Sequence, residues 1–368
     1  MGEDNRFPLN IHKLEPWQKR KLFSTFFIVV LGGLLYLFLT CTSLYQDKVS
    51  ERDYWASALT PSPEEEALAQ KKSVAATSVT AGTYIENMKE LSLKTSSFRT
   101  EFLVWFRWEG QEELDMMENF HIYKGTVHSK EIMKEYHKDG VNYQLARIDA
   151  TVSKNFWTNR FPLESHQLHI YLESDYPVEE VMLIADKENS GLNRNLSING
   201  YELVRHEIGT YLVTYDNARN DPEYSGKIIN SELVVGMEIN RNSWGLYAKC
   251  FIALMGTISW VMITLFINTF HTVDPLLMIP AALFGTVTNI MVGANLLPDT
   301  LTLGLLEYVN LYGIMTILTV ALIIIQVNRI RNKWADKPFA KLYGQVMFYT
   351  ILILTVLGNL ALPLTAYL

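Results

Sequence analysis

Hydrophobic positions follow two regimes along the chain. Through much of 97–245 they alternate with polar ones, and from 246 onward they merge into four long runs at about 246–269, 275–297, 305–327 and 344–367. Each run is close to the roughly 20 residues a helix needs to cross a bilayer. A fifth apolar run covers 22–45. The alternating segments read as strands: Phe98 to Trp108, with Phe102, Val104 and Phe106 in phase; Gln167 to Glu173, with Leu168, Ile170 and Leu172; and Ser231 to Ile239, with Leu233, Val235, Met237 and Ile239. Period-two segments broken by Asn, Gly, Asp and Pro predict an all-β sandwich over 97–245. The fold expected is a membrane protein: a β-sandwich ectodomain, a four-helix transmembrane domain over 246–368, and one extra amino-terminal transmembrane helix. Between them, 46–96 reads as a linker with short helices. Ser62-Pro63 before Glu64, Glu65 and Glu66 is a helix start, Ser73 to Thr83 is small and polar, and Tyr84 to Leu93 suits a second short helix.

Charge sets the expected topology. Arg6, Lys13, Lys19, Arg20 and Lys21 precede the first run, and Arg329, Arg331, Lys333, Lys337 and Lys341 fill the link before the last. Both are therefore expected in the cytoplasm, residues 1–21 as a cytoplasmic amino-terminus, with 46–245 and the carboxy-terminus outside. The run 22–45 has two readings, an uncleaved anchor or a secretory signal ending near Cys41. Its length and the Leu-Phe-Leu-Thr before Cys41 favour the anchor. Cys41 and Cys250 are the only cysteines, both in or beside apolar runs, so the outside domain is expected to hold together without a disulfide.

The run 275–297 is unlike its neighbours. It is rich in Ala, Gly, Thr and Asn and has no Lys or Arg. A helix facing only lipid has no need of that composition, whereas one lining a hydrated pore does.

One loop carries a family resemblance. Arg160-Phe161-Pro162-Leu163-Glu164-Ser165-His166-Gln167 closely resembles the signature loop of pentameric ligand-gated ion channels, aromatic-Pro-aromatic-Asp-x-Gln, in the disulfide-free form of bacterial members. Lys154 and Leu168 stand where the loop cysteines would be. Leu163 replaces the second aromatic and Glu164 the Asp, each keeping its apolar or anionic type. Arg241 before the first channel run, Ile258-Ser259-Trp260 within it, and Asn295-Leu296-Leu297-Pro298 at the end of the second also resemble the family, over about 97–368. A central Pro usual in the first channel helix is missing from 246–269.

The resemblance implies a homopentamer in a bacterial inner membrane, with a periplasmic ligand-binding domain that gates a pore. Spacing and the family pattern select Asp274, Leu277, Ala281, Phe284, Thr288, Met291 and Asn295 as the pore face. A register one position away would bring Met278, Gly285 and Val292 round instead. Asp274 has two readings, a helix cap or one member of a charged ring that admits cations. Residues 46–245 hold 21 Lys/Arg against 32 Asp/Glu, a net −11, which also favours cations. Pro280, inside this run, predicts a kink. Coupling to the pore is assigned to Arg160, Phe161, Pro162, Glu164, Gln167, Arg241 and Pro298, with a Glu164–Arg241 pair. Candidate agonist contacts are Tyr176, Tyr211, Tyr215 and Tyr224 on one face and Trp105 and Phe106 on the other, rings that suit a cation.

His166 and His169, three apart on a strand, face opposite ways and cannot chelate together. No metal site, cofactor or nucleic-acid partner is expected, and no nucleophile elbow or phosphate loop marks an enzyme. The expected partners are lipid, permeant inorganic cations and a small-molecule, proton or ion agonist. The second function class is a non-conducting receptor or structural assembly on the same fold.

Overall fold

The computed structural model describes residues 14–59, 61–215, 227–241, 244–297 and 302–368. They divide into two compact units: a β unit (49–157 and 165–242) and a helical unit (1–48, 158–164 and 243–368). In chain order the elements are helices α1 (Pro16–Ala58) and α2 (Pro63–Lys72); strands β1 (Thr77–Ser92), β2 (Ser97–Glu109), β3 (Phe120–Ile122), β4 (Gly125–Lys138), β5 (Val141–Ser153), β6 (Ser165–Pro177), β7 (Val181–Ala185), β8 (Gly191–Leu192), β9 (Glu202–Tyr215) and β10 (Ile228–Asn240); then helices α3 (Trp244–Phe270), α4 (Ile279–Leu296), α5 (Leu305–Asn328) and α6 (Lys337–Tyr367).

The β unit is two sheets, β4-β5-β2-β1-β7 with β8 on β1, and β3-β6-β10-β9. Alternation dictates the core. Phe98, Phe102, Val104 and Phe106 of β2 and Leu168, Ile170 and Leu172 of β6 are all buried, as are Leu233, Val235 and Met237 of β10. The second sheet departs from a half-buried pattern, because its other face is covered as well. His169, Glu173, Glu232 and Val234 are also buried. The cover over part of this face is the last turns of α1, where Trp55 and Leu59 pack on Val234. Two glycines admit them: a Cβ on Gly209 would lie 2.6 Å from the Leu59 carbonyl oxygen, and one on Gly236 would lie 3.0 Å from the Trp55 ring.

Three expected boundaries are corrected. The sandwich begins at Thr77 rather than 97, and Tyr84 to Leu93 is strand, not helix. Bulges between Ile85 and Asn87 and between Met88 and Glu90 break the period of two. They leave Ile85 and Met88, three apart, both buried, which imitates helical spacing. The first helix is not confined to 22–45 but runs 43 residues, from Pro16, since nothing in Gln46 to Ala58 breaks a helix. The last helix starts at Lys337 rather than 344. Asp336 accepts the Phe339 N–H at 3.0 Å and Pro338 sits in the first turn, a start signal inside what reads as a basic link. The helix at Pro63 forms as expected, with Ser62 and Glu65 closing a capping box.

In the helical unit α3 packs on α4, α5 and α6, and α5 packs on α4 and α6. α1 lies along α5 and α6: Tyr36 donates its hydroxyl to the Tyr308 carbonyl at 2.7 Å and stacks on Tyr312, and Trp17 meets Trp334 and Phe339 edge-on. Four helices, those holding Pro16–Trp55, Trp244–Phe270, Leu305–Lys333 and Lys337–Tyr367, are long and apolar enough to cross a membrane. Phe23, Phe27, Leu31 and Phe38 of α1 and Ile353 and Leu360 of α6 are exposed, as side chains meeting lipid would be. Cys41 and Cys250 are both free thiols.

Candidate functional site

Three groups of residues merit a functional reading, and the first is one face of α4. Asp274 precedes the helix, its Oδ1 accepting the Leu276 N–H at 3.1 Å. A 3-10 turn over Leu276–Met278 follows, so α4 proper starts at Ile279. Pro280 is thus in the first turn, where no intrahelical partner is lost, and the expected kink has no cause there. Ile279, Ala282 and Thr286 are buried. Gly285 is so close to the Thr257 side chain of α3 that a Cβ would collide with it. The opposite side of α4 carries the exposed Ala281, Phe284 (76% exposed), Met291 (61% exposed) and Asn295, and the exposed Asp274 and Leu277 (94% exposed) lie in the segment before the helix. The Thr288 and Val292 side chains lie outside the described residues. The described members of the stripe on α4 are therefore exposed, but so are Met278, in the turn before the helix, and Ile290, one turn beyond the buried Thr286, while Gly285 belongs to the packed side.

The second group is the loop 158–164, which interrupts the β unit in sequence but belongs to the helical unit. Phe161 N–H donates to the Thr158 carbonyl at 3.0 Å and Leu163 N–H to that of Arg160 at 2.8 Å, around a cis Phe161–Pro162 bond. Arg160, Phe161, Leu163 and Glu164 are buried. Arg160 pairs with Asp47 of α1 at 3.2 Å. Asn159 donates to Asp47 at 2.7 Å, accepts the Thr302 hydroxyl at 2.8 Å, and offers its carbonyl to the Leu305 N–H at 2.6 Å. Gly304 lies so near the Asn159 backbone that no side chain fits there. The loop thus grips the start of α5 and a turn of α1. Sequence reasoning named Arg160 but missed Asn159 and Asp47, whose roles depend on a helix it treated as linker. In the β unit, Gln167 donates to the Glu51 carbonyl at 2.5 Å. Arg241 lies over the Tyr201 ring, 4.2 Å from its centroid. Pro298 is outside the described residues.

The third group is a cavity of about 620 Å³ in the β unit, on the α1-covered face of the second sheet. Of the six candidate agonist contacts, the structure brings Tyr211 and Tyr215 together here, joined by Tyr54, Trp157, Tyr171, Lys154, Glu173 and Glu232. Tyr176 is half-buried elsewhere on β6, and Tyr224 lies outside the described residues. Trp105 packs on Gly82 and donates to Asp186 at 3.1 Å. Phe106 is corrected from a ligand contact to core: it is wholly buried against Phe120, because its neighbour Trp105 takes the other face of the strand.

The cavity floor is one row across three strands. Tyr211 of β9 pairs with Glu232 of β10, which pairs with Glu173 of β6. Glu173 is wholly buried and well held, accepting the Tyr215 hydroxyl at 2.8 and 2.9 Å and Asn230 Nδ2 at 2.9 Å. Glu232 is 3% exposed. Burial, then the neighbouring Glu173 carboxylate, pushes its pKa up to about 8. Burial lowers Lys154 to about 8, and burial together with Lys154 lowers His169 to about 3. The acids were legible only as polar positions on a strand, since nothing in the sequence says that a helix covers that face.

A stability consequence follows. A carboxyl whose folded pKa lies above its ordinary range favours folding at low pH, and that advantage is lost as pH rises toward about 8. Glu232→Gln should therefore raise the unfolding midpoint at pH 8, by the equivalent of roughly 2–4 kcal/mol, and leave it unchanged at pH 4. Tryptophan fluorescence during thermal unfolding at the two pH values checks this.

Among the described residues, no group of three or more His, Cys, Asp or Glu side chains is placed to hold a metal ion. Comparison with known proteins finds no family model that matches the chain and no matching curated protein.

Proposed function

We propose that the chain is one subunit of a homopentameric, cation-preferring ligand-gated ion channel. In this reading the β unit lies outside the cytoplasmic membrane, in the periplasm, and α1 and α3 to α6 span the bilayer. The observation that carries the reading is α4. It packs through Ile279, Ala282, Thr286 and Gly285, and it exposes Phe284, Met291 and Asn295 on the other side, with Asp274 and Leu277 exposed in the segment just before it. Five copies around an axis would bury that stripe on a central pore and set Asp274 at one end of it. The grip of loop 158–164 on Thr302 and Leu305 supports a mechanical role, because a loop held to the start of α5 can transmit a displacement to the helices beside the pore.

Native mass measurement in mild detergent, paired with flux from liposomes under a salt gradient, tests both parts. A fivefold subunit mass and cation flux are expected. A monomer in detergent and in bilayers overturns the assembly. An intact pentamer that passes no ions under any condition leaves the non-conducting receptor as the better reading.

A further inference from the structure

Asn268, two residues before the end of α3, is wholly buried, and a buried amide is costly unless its hydrogens find acceptors. Here they do. Asn268 Nδ2 donates to Asn328 Oδ1 of α5 and to the Val273 carbonyl, each at 2.9 Å. The Asn268 carbonyl is among the last of α3, where no intrahelical partner is left, and it accepts Arg331 Nη2 at 2.5 Å from the turn Arg329–Lys333 that follows α5. One residue thus ties α3, α5 and that turn to the segment leading into α4.

That segment needs holding. Thr272 has φ of +57°, the left-handed region that a β-branched residue avoids. Such a conformation persists where the surroundings over-determine it. The Val273 carbonyl shares a planar peptide group with the nitrogen and Cα of Asp274, so the bond from Asn268 fixes the direction in which Asp274 leaves the turn. On the other side, Asp274 Oδ1 accepts the Leu276 N–H at 3.1 Å. The carboxylate is held from behind by α3 and from ahead by the turn that begins α4.

We propose that Asn268 is the positioning residue for the Asp274 charge and sets ion preference through it. This rests on the channel reading above and adds the residue that holds its charged ring in place. Coulomb attraction weakens with distance and weakens again as water and salt come between. A carboxylate free to swing from the axis therefore loses its hold on a passing ion while keeping its charge. Asn268 is itself buried, so its influence on the ion path runs through Asp274.

The test is the ratio of sodium to chloride permeability, from reversal potentials of protein in liposomes under a sodium chloride gradient. Every variant is made in the Phe284→Ser background, so that current needs no agonist, and native mass establishes that each is assembled. Asn268→Leu, close in shape but without the amide, should lower the ratio at least fivefold. Asn268→Ser, whose hydroxyl turns back onto its own helix, should lower it as well. Glycine accepts a positive φ without strain, so adding Thr272→Gly to Asn268→Leu should restore the ratio at least twofold. The decisive arm is Asp274→Asn: with the carboxylate gone, adding Asn268→Leu should change the ratio less than twofold, because residues acting through one group are not additive. The proposal is overturned if assembled Asn268→Leu and Asn268→Ser proteins keep the ratio of the background protein. It is overturned if Asn268→Leu lowers the ratio as much without the Asp274 carboxylate as with it. It is also overturned if neither variant assembles even with Thr272→Gly, which makes Asn268 a folding residue. Liposomes in which no protein of the set passes ions overturn the channel reading and this proposal together, whereas an unchanged ratio in a conducting protein overturns this proposal alone.

Discussion

Phe284→Ser is expected to turn a closed assembly into a leaky one, with liposome flux in the absence of any agonist rising at least tenfold. Phe284 is the bulkiest side chain on the exposed stripe of α4, lying between Ala281 and Met291. On a fivefold axis, five such rings form an apolar constriction, and a constriction of that kind blocks ions by shedding water rather than by filling the whole bore. Serine removes the ring and supplies a hydroxyl that holds water in place. Phe284→Ala widens the ring without adding a hydrogen-bonding group, so its leak should be smaller. Gly285 provides the contrast. A side chain there collides with Thr257, so Gly285→Ser should reduce the yield of assembled protein rather than open a pore. A pentamer of Phe284→Ser that stays tight would show that the barrier is elsewhere or that the helix does not line a pore.

Asp274→Lys is expected to move the reversal potential in a sodium chloride gradient from near the cation limit toward the chloride side. A carboxylate about 6 Å from an ion on the axis contributes about 0.7 kcal/mol in water before screening, so a ring of five amounts to roughly 3 kcal/mol. A tenfold change in selectivity needs only about 1.4 kcal/mol. Asp274 also caps the Leu276 N–H, and Asp274→Asn separates the two roles, since the amide oxygen still accepts that bond without charge. Loss of cation preference in the Asn variant assigns the charge to permeation. An unchanged reversal potential in both variants leaves Asp274 as a cap alone.

What could be read from the chain was read where one periodicity ruled. Phe98 to Trp108 alternates cleanly and became β2 with the expected face inward. Ser62-Pro63 and the acids after them start a helix as expected, and Ser62 and Glu65 close a capping box there, because every partner lies within four residues. Errors arose where tertiary demands broke the period. Two bulges made β1 resemble a helix, and Asp336 and Pro338 began α6 inside a stretch read only for its charge.

The sequence by itself determined the two sorts of element, the apolar helices and the inward faces of β2, β6 and β10, all of which follow from local spacing of side chains. Only the tertiary structure decided what lies over the outer face of the second sheet. Gly209 and Gly236 let the end of α1 settle against that sheet, and that cover turns Glu173, Glu232 and Tyr211 from surface residues into the floor of a cavity. Loop 158–164 is a like case: its residues are adjacent in sequence, but Asp47, Thr302 and Leu305, which hold it, are more than 100 residues away on either side. Contacts between distant segments leave no periodic trace in a single chain, and most of the candidate functional geometry of this protein is made of them.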